Sequence, residues 1–366
     1  MHIVVIGTRG IPNILGGVET HCEELYPRLV SLGCDVTIIR RSCYITQDNQ
    51  LTSYKGVKLK DVYAPKKKSF EAIIHSILAV IQAKKLKADI LHVHAIGPAL
   101  VVPFARLLGL KVVMTHHGPD YDRQKWGRLA KFSLKLGERW GVKYANSVIS
   151  ISNVITDIIE EEYYRENTSL IFNGVPAATK IADDRFISSL GLEKEKYILA
   201  MGRFVPEKGF DLLIDVFSEL KDSGIKLVIA GDTDHITPYS EKLKSQAKKN
   251  GVILTGFITG EKLQEILTHA RLFVLPSFHE GLPIALLEAM SYGLDVLVSD
   301  IPANIEVDLP NDFYFKTGDK ESFKKKLKCK IEEPHLKRHY DMDAYDWEQI
   351  SAQVLAVYKE MLYNND

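Results

Sequence analysis

Short apolar runs alternate with amphipathic stretches along almost the whole chain of 366 residues. This alternation is typical of βα units built around parallel sheets. The series starts at His2-Ile3-Val4-Val5-Ile6 and begins again at Tyr197–Met201. Because 366 residues exceed the usual size of one core, we predict an α/β fold with two doubly wound, Rossmann-like domains. The strand candidates are 2–6, 35–40, 57–62, 89–93, 111–115, 147–151 and 168–172, then 197–201, 227–230, 252–254, 272–275 and 296–299.

The boundary between the two series is expected near residues 173–195. Asn173-Gly174-Val175-Pro176 ends the first series, and a polar stretch of weak periodicity follows. We predict an N-terminal domain over residues 1–176, a C-terminal domain over 177–344 and a terminal helix over 345–366 that crosses back to the first domain. The apolar residues of that helix have helical spacing: Trp347, Ile350, Val354, Val357, Tyr358 and Met361.

The charge balance argues against a nucleic-acid partner, since Lys+Arg and Asp+Glu are both 47. Any attraction to an anion must therefore be local. The four cysteines form no CxxC pair, which favours a reducing compartment and a cytoplasmic protein. Neither a secretory signal nor an apolar run of roughly 20 residues is recognisable. The chain is expected to be soluble, or attached to the cytoplasmic face of a membrane.

Two segments that follow strands carry groups suited to an anion. Gly7-Thr8-Arg9-Gly10-Ile11-Pro12 is followed by Gly16-Gly17-Val18-Glu19, where the glycine pair opens a helix and lets backbone N–H groups approach a phosphate. In the second half, Arg203 and Lys208 follow the strand Tyr197–Met201 and suit a diphosphate. The alternatives are a structural turn for the glycines and a surface salt bridge, for example with Glu207, for the two cations.

A third segment holds two carboxylates. Pro276-Ser277-Phe278-His279-Glu280-Gly281-Leu282-Pro283 precedes a helix in which Pro283 is expected in the first turn. Glu288 then lies about two turns beyond Glu280, roughly ten ångströms away by the helical rise. Such a pair can bind hydroxyls of two sugars separated by a diphosphate. The alternative is that Glu280 caps the helix and Glu288 is a solvated surface residue.

The spacing of Glu280 and Glu288, with Arg203 and Lys208 upstream and Gly16-Gly17 near the start, resembles the retaining glycosyltransferases of family four. The resemblance covers nearly the whole chain. It implies the GT-B fold, in which two Rossmann-like domains face each other across a cleft that closes over the donor. The opening segment further resembles a subgroup of bacterial polysaccharide enzymes that includes rhamnosyltransferases.

The resemblance also implies roles for residues. Glu288 would hold the ribose of a nucleotide-diphosphate sugar and Glu280 the hydroxyls of the transferred sugar. Arg203 and Lys208 would bind the diphosphate, helped by the backbone at Gly281-Leu282 and by Gly16-Gly17. Because negative charge grows on the departing diphosphate, fixed cations stabilise it most in the transition state. No cofactor and no metal ion are expected, and retention would follow a front-face route.

Histidines form a further group of candidates. His117, before Gly118, matches the histidine that the family places near the transferred sugar, whereas His116 is expected to face elsewhere because neighbours on a strand point in opposite directions. His92 and His94 share one face of a strand, a spacing that could bind a metal, but packing is the preferred interpretation.

Three features weaken or qualify the resemblance. Asp341-Met342-Asp343 imitates the Asp-x-Asp metal motif of another glycosyltransferase fold, yet its place before the terminal helix favours loop and helix-cap roles. Asp295 stands where the family usually has proline, and Pro176 where it often has aspartate. Neither of these two positions is expected to do chemistry.

Two basic segments are candidates for an anionic membrane surface that would supply a lipid-linked acceptor. The first is a predicted amphipathic helix with a single acid, Glu138, and an apolar face of Trp126, Leu129, Leu136 and Trp140; its cations are Arg123, Lys125, Arg128, Lys131, Lys135, Arg139 and Lys143. The second is Lys66-Lys67-Lys68 before an apolar segment over 70–81. The alternative for each is a helix packed on its own sheet with solvated lysines.

The sequence thus predicts a hexosyltransferase for which the donor is a nucleotide sugar and the acceptor a glycan or lipid-linked sugar. A role in bacterial surface polysaccharide synthesis is expected from the resemblance, and rhamnose is one candidate sugar. A nucleotide-sugar hydrolase or epimerase of the same fold is the first alternative. The second is a non-catalytic subunit that binds nucleotide sugar. Neither the sugar nor the nucleotide base is encoded by a short motif.

Overall fold

The computed structural model describes residues 1–14, 16–65, 71–119, 121, 127–220, 224–233 and 236–363. The chain separates into two units: unit 1 comprises Met1–Gly174 and Asp343–Asp366, and unit 2 comprises Val175–Met342. Each unit is built on one largely parallel sheet. The predicted α/β architecture with two parallel-sheet domains is confirmed.

Unit 1 has an eight-stranded sheet in the order β3-β4-β2-β1-β5-β6-β7-β8. All neighbours are parallel except the edge pair β3 and β4. The strands are β1 His2–Ile6, β2 Asp35–Arg41, β3 Ser53–Tyr54, β4 Val57–Val62, β5 Ile90–His94, β6 Val112–His116, β7 Ser147–Ser150 and β8 Thr168–Leu170. The helices are α1 Gly17–Ser31, α2 Glu71–Lys85, α3 Val102–Leu107, α4 Arg128–Tyr144 and α5 Asn153–Tyr163, with the C-terminal helix described below.

Unit 2 has a six-stranded parallel sheet in the order β11-β10-β9-β12-β13-β14. Its strands are β9 Tyr197–Met201, β10 Lys226–Ala230, β11 Ile253–Gly256, β12 Leu272–Leu275, β13 Asp295–Ser299 and β14 Tyr314–Phe315. Its helices are α6 Arg185–Ser189, α7 Phe210–Ser218, α8 Pro238–Lys249, α9 Gly260–His269, α10 Ile284–Ser291, α11 Pro302–Ile305 and α12 Lys320–Glu332.

The two short edge strands, β3 and β14, were not predicted, because two residues are too few to show a periodic pattern. Two central strands, β5 and β6, begin and end one residue later than expected. As a result His94 is the last residue of β5 and His116 the last residue of β6, so both belong to the carboxyl edge of the sheet.

The last helix, α13 Trp347–Tyr363, packs against α1 within unit 1. Its apolar face, which includes Trp347, Val354 and Tyr358, joins one core cluster with Leu25 and Leu29 of α1. Burial of this face against a sheet and a helix is the dominant stabilising term expected for such an element. The C-terminal segment is therefore part of the first core despite its distance along the chain.

Helix α4 is the basic helix predicted from the sequence, and its two halves differ. In the second half, Gly137 and Gly141 pack closely and Glu138 is fully buried. Glu138 accepts hydrogen bonds from His116 Nε2 at 2.7 Å and from the Tyr163 hydroxyl at 2.6 Å. Packing against elements of the same unit buries this half, which fits the alternative interpretation of the segment as a helix packed within its own domain.

In the first half of α4 the apolar side chains of Leu129 and Phe132 are 81% and 65% exposed. Trp140, which the sequence placed on the same face as Leu129, is half-buried instead. The predicted members Arg123, Lys125 and Trp126, and the whole run Lys66-Lys67-Lys68, lie outside the described residues. Across the described ranges, no helix combines the length and apolar character that a membrane span requires.

Candidate active site

The carboxyl ends of β9 and β12 are the place in unit 2 where the strand order reverses. From β9 the chain continues to β10 and β11 on one side and then returns to β12 on the other. Ligands of open parallel sheets bind at such switch points, beyond the carboxyl ends of the strands. Both charged segments singled out in unit 2 lie there: Gly202–Lys208 follows β9, and Pro276–Glu280 follows β12.

The segment after β9 is folded tightly. Arg203 is half-buried, and residues Pro206–Lys208 form a 3₁₀ turn that ends at Gly209. Gly209 has φ +63°, and a Cβ atom there would lie 2.3 Å from the carbonyl oxygen of Pro276. A glycine is required at this position because any side chain would separate the two loops.

A backbone hydrogen bond also joins the two loops, from Phe278 N to Glu207 O at 2.8 Å. Behind it, the Ser299 hydroxyl at the end of β13 donates to Ser277 O, and Asn304 Nδ2 of α11 donates to Ser299 O at 2.9 Å. Ser277, Ser299 and Asn304 are buried. These hydrogen bonds attach the segment after β12 to β13 and α11, and they limit how far its side chains can move.

Lys208 and Glu280 meet across the two loops. The Lys208 Nζ atom lies 2.6 Å from Glu280 Oε1, and the side chains are only 18% and 11% exposed. The Ser277 hydroxyl donates to the same carboxylate oxygen at 2.6 Å. An ammonium group has three donors, so this contact uses one of them and leaves Lys208 able to bind further oxygens. Glu207 contributes its backbone carbonyl to the contact between the two loops.

Glu288 lies on α10, which begins at Ile284. The prediction that Pro283 occupies the first helical turn is wrong, because its ψ of 82° lies outside the helical region and Pro283 precedes the helix. Glu288 is therefore the fifth residue of the helix and is half-buried. Its negative charge contributes to raising the pKa of the neighbouring Tyr292, although burial of the tyrosine is the larger cause.

In unit 1 the glycine pair lies at the start of α1, as expected: the helix begins at Gly17, and Gly16 precedes it with φ 151°. A Cβ atom on Gly16 would overlap the carboxylate of Glu19. Glu19 Oε1 accepts hydrogen bonds from Arg9 N at 2.8 Å and from the Thr8 hydroxyl at 3.2 Å. An acidic side chain of the helix itself therefore organises the loop after β1.

A cluster of histidines that the sequence did not reveal lies at the carboxyl edge of the same sheet. His117 Nε2 is 2.9 Å from His94 Nδ1, and His21 of α1 completes the group. Burial lowers the pKa of His21 to about 4 and holds the pKa values of His94 and His117 well below 6.5. All three rings are thus neutral at pH 7. His116 points the other way, into its contact with Glu138.

His92 is part of a different, hydroxyl-based network. Its Nε2 atom is 2.7 Å from the Thr115 hydroxyl, and its Nδ1 atom is 2.9 Å from the Tyr26 hydroxyl and also contacts the Tyr358 hydroxyl of α13. Burial lowers the pKa of His92 to about 3. The suggestion that His92 and His94 form a metal-binding pair is therefore not favoured, since His92 is occupied by hydroxyl partners.

The Asp-x-Asp sequence lies in the segment before the last helix. Asp343 begins a 3₁₀ turn that ends at Tyr345. The carboxylate that accepts from backbone N–H groups of α13 belongs to Asp346, with Glu348 N at 2.9 Å and Gln349 N at 3.0 Å. The expected loop position of the Asp-x-Asp sequence fits the structure. The residue that caps α13 is Asp346, three positions beyond Asp343.

Comparison with known proteins agrees with this architecture. A family model described as Glycosyltransferase Family 4 matches residues 15–179, and one described as Glycosyl transferases group 1 matches residues 183–347. An Escherichia coli UDP-Gal:alpha-D-GlcNAc-diphosphoundecaprenol alpha-1,3-galactosyltransferase is 27% identical over 316 residues, covering 80% of this chain and 78% of its own.

Solved structures show the same fold. A sucrose-phosphate synthase from Thermosynechococcus elongatus has a TM-score of 0.85 at 18% identity, with all of both chains covered. Anabaena HepE in complex with UDP and glucose has a TM-score of 0.78 at 16% identity, covering 98% of this chain and 99% of that one. At these identities the likeness concerns the fold alone.

The two parallel-sheet units, together with the family matches over both halves of the chain, define a glycosyltransferase of the GT-B type. The chain belongs to the GT-B glycosyltransferases, with its first half matching Glycosyltransferase Family 4 and its second half Glycosyl transferases group 1.

Proposed function

We propose that the protein moves a hexose from a nucleotide-diphosphate donor to a glycan or lipid-linked acceptor, with retention of the anomeric configuration, in the synthesis of a bacterial surface polysaccharide. Rhamnose is the first donor sugar to test. The observation that carries this proposal is the pairing of Lys208 with Glu280 at the switch point of unit 2. A cation and an acid side by side suit a ligand in which a diphosphate adjoins a sugar.

In this proposal Lys208 and Arg203 bind the diphosphate, Glu280 binds hydroxyls of the transferred sugar and Glu288 binds the ribose. Backbone groups of Gly281 and Leu282 approach the phosphates. From unit 1 the proposal adds His117 for the sugar and the Gly16-Gly17 backbone for the donor.

Lys208 and Glu280 are already positioned for these binding roles before any ligand binds. Glu280 receives both Lys208 and Ser277 on Oε1, and the proposal gives Oε2 to a sugar hydroxyl. The carboxylate also holds the ammonium group at a fixed place, so little reorganisation is needed when a phosphate arrives. Preorganised charge of this kind contributes most where charge develops during the reaction.

The chemical step breaks the bond between C1 of the sugar and the phosphate oxygen, and the electron pair stays on the diphosphate. The acceptor hydroxyl attacks C1 from the same face, and its proton passes to an oxygen of the departing phosphate. Arg203 and Lys208 neutralise the charge that grows there, so that the transfer itself needs no metal ion. This front-face route accounts for retention without a second catalytic carboxylate.

The relatives support the choice of substrates. The Escherichia coli relative is named for a UDP-galactose donor and a lipid-linked diphosphate acceptor, and the Anabaena structure contains UDP and glucose. The proposal extends those classes of ligand to this chain.

A donor panel tests the function. Labelled nucleotide sugars that differ in base and hexose are incubated with the protein, with and without polyprenyl-diphosphate-linked sugar. We expect free nucleotide and a new glycoside only when acceptor is present, and NMR of the product should show the donor's anomeric configuration. Release or rearrangement without acceptor would instead indicate a hydrolase or epimerase, and binding without turnover a non-catalytic subunit.

The same proposal includes attachment to an anionic membrane through the first half of α4. The exposed apolar side chains of Leu129 and Phe132 lie on a helix with Arg128, Lys131 and Lys135. Apolar groups that enter the interface and cations that meet anionic headgroups act together in such helices. A peripheral position on the cytoplasmic face would bring the enzyme to a lipid-linked acceptor.

Charge removal on α4 is expected to weaken vesicle binding. Changing Arg128, Lys131 and Lys135 to glutamine should lower binding to vesicles containing phosphatidylglycerol by about a hundredfold, at about 1 kcal/mol for each charge. Co-sedimentation with the vesicles measures the bound fraction of the protein. The matched control changes three exposed lysines of α8 (Lys242, Lys248 and Lys249) to glutamine and should bind like the unaltered protein. Unchanged binding by the α4 variant would refute the membrane role of this helix.

A further inference from the structure

His21, His94 and His117 come from three separate elements of unit 1 and form a triangle. His21 lies on α1, His94 ends β5 and His117 follows β6. The ring centroids are 5.5 Å apart for His21 and His94, 5.0 Å for His21 and His117, and 5.2 Å for His94 and His117. One ring nitrogen from each lies within 4.8 Å of the others.

These distances match the requirements of a tetrahedral metal ion. With Zn–N bonds of about 2.0–2.1 Å, two imidazole nitrogens on one zinc ion are about 3.3 Å apart and their ring centres about 5 Å apart. The three centroid separations, 5.0 to 5.5 Å, are close to that value. One pair of nitrogens, His94 Nδ1 and His117 Nε2, is at 2.9 Å and needs only a small separation to admit an ion.

The other ring nitrogens have partners that orient the rings. Asn173 Oδ1 lies 2.8 Å from His21 Nδ1, and a carbonyl oxygen there requires Nδ1–H, which leaves the Nε2 lone pair of His21 for a metal. The Tyr26 hydroxyl contacts His94 Nε2 and leaves Nδ1 of that ring as the ligand atom. Hydrogen bonds of this kind to the remaining ring nitrogen are typical of histidines that bind metals.

We propose that His21, His94 and His117 form a three-histidine site for Zn²⁺ in unit 1, with Asn173 and Tyr26 orienting two of the rings. Neutral imidazoles suit Zn²⁺ and are poor ligands for Mg²⁺, which prefers oxygen. The ligands of this site therefore differ from those of a Mg²⁺ site that would bind a diphosphate.

The environment is consistent with an ion that retains one open position. His21 and His94 are buried, whereas His117 is partly exposed and provides the side from which an ion and a water molecule can enter. Three protein ligands with a fourth position for water are the usual set of an accessible zinc site. A metal on Nε2 of His117 leaves Nδ1 of that ring for the sugar contact proposed above.

Cobalt substitution tests the site directly and without the transfer reaction. The full chain is freed of metal with a chelator and titrated with Co²⁺ while the visible absorption of four-coordinate cobalt is recorded. We expect one such ion for each chain and its displacement by Zn²⁺. His21→Gln should weaken Co²⁺ binding by at least about a hundredfold, and Asn173→Ala by about 10- to 100-fold, since an orienting partner is lost but all three ligands remain.

The control is His339→Gln, which alters an exposed histidine of unit 2 and should leave the titration unchanged. Circular dichroism in the presence of chelator shows whether each variant is folded. If His21→Gln is unfolded, the Co²⁺ affinity of Asn173→Ala tests the site. Zinc should raise the urea midpoint of the unaltered protein but not that of His21→Gln. A titration without the four-coordinate spectrum, or equal affinities in the unaltered chain and the folded variants, would overturn the proposal.

Discussion

Replacing Lys208 with alanine is expected to lower kcat/KM for sugar transfer by about 10³-fold, at the upper end of what one preorganised donor contributes. The ammonium group is held by Glu280 at 2.6 Å and is mostly shielded from water. In such a site a cation stabilises the departing diphosphate more than it would in bulk solvent. The loss should therefore appear mainly in the chemical step.

Steady-state rates with the donor identified by the panel measure this effect, and donor binding by calorimetry separates it from a loss of affinity. Lys208→Arg keeps the charge and should recover part of the rate, because arginine also binds phosphate oxygens. Lys242→Ala, an exposed lysine of α8 in the same unit, is the matched control and should have the original rate. If folded Lys208→Ala protein kept its rate within about threefold, a loss of under 1 kcal/mol, the donor site would be misplaced.

Replacing Asp295 with alanine is expected to reduce the free energy of unfolding of unit 2 by about 3 kcal/mol, the lower end of the usual range for breaking a buried ion pair, because Lys330 keeps a weaker contact with Asp312. Asp295 begins β13 and is buried. Both of its carboxylate oxygens lie 3.1 Å from Lys330 Nζ, and Oδ1 also accepts from Arg338 Nε at 3.1 Å. The Lys330 side chain is only 3% exposed, and in the variant it keeps one carboxylate partner, Asp312 Oδ2, at the longer distance of 3.6 Å.

Urea denaturation followed by far-UV circular dichroism measures this loss. All three tryptophans, Trp126, Trp140 and Trp347, belong to unit 1, so their emission monitors that unit separately. Adding Lys330→Met to Asp295→Ala should restore much of the stability, since an apolar side chain of similar length replaces the buried ammonium group. Equal stability of Asp295→Ala and the unaltered protein would show that the pair does not stabilise the fold.

The prediction of the donor segment from sequence depended on local information. Arg203, Lys208 and Glu280 each follow a short apolar run, and parallel strands place such segments at one edge of the sheet. The contact between Lys208 and Glu280 was not predicted. It depends on β9 and β12 being neighbours, which residues 72 positions apart cannot reveal by spacing.

Asp295 illustrates a different limit. The sequence marked it as a departure from the family's proline, and nothing nearby indicated a function. The structure supplies the reason, since Lys330 of α12 and Arg338 reach it from segments 35 and 43 residues further along the chain. Nothing in the linear pattern distinguishes the charge of Asp295, but in the fold Asp295 is one partner of a buried ion pair.

The environment of Glu138 is not predictable from the pattern of its own helix. In the sequence, Glu138 is a single acid among the many cations of an amphipathic pattern. In the fold, the glycines Gly137 and Gly141 let α4 approach its neighbours, and the carboxylate is enclosed with His116 and Tyr163. Helical periodicity defines faces, but it does not define which elements cover them.

By itself the amino-acid sequence determined the two series of βα units and the polar segments that follow the main strands, because periodicity and turn residues act over a few positions. The tertiary structure alone decided which of those ends meet. It brought His21, His94 and His117 together with Asn173, paired Lys208 with Glu280 and enclosed Glu138. The physical reason is that such contacts depend on strand order and helix packing, which join residues too distant in the chain for any local pattern to connect them.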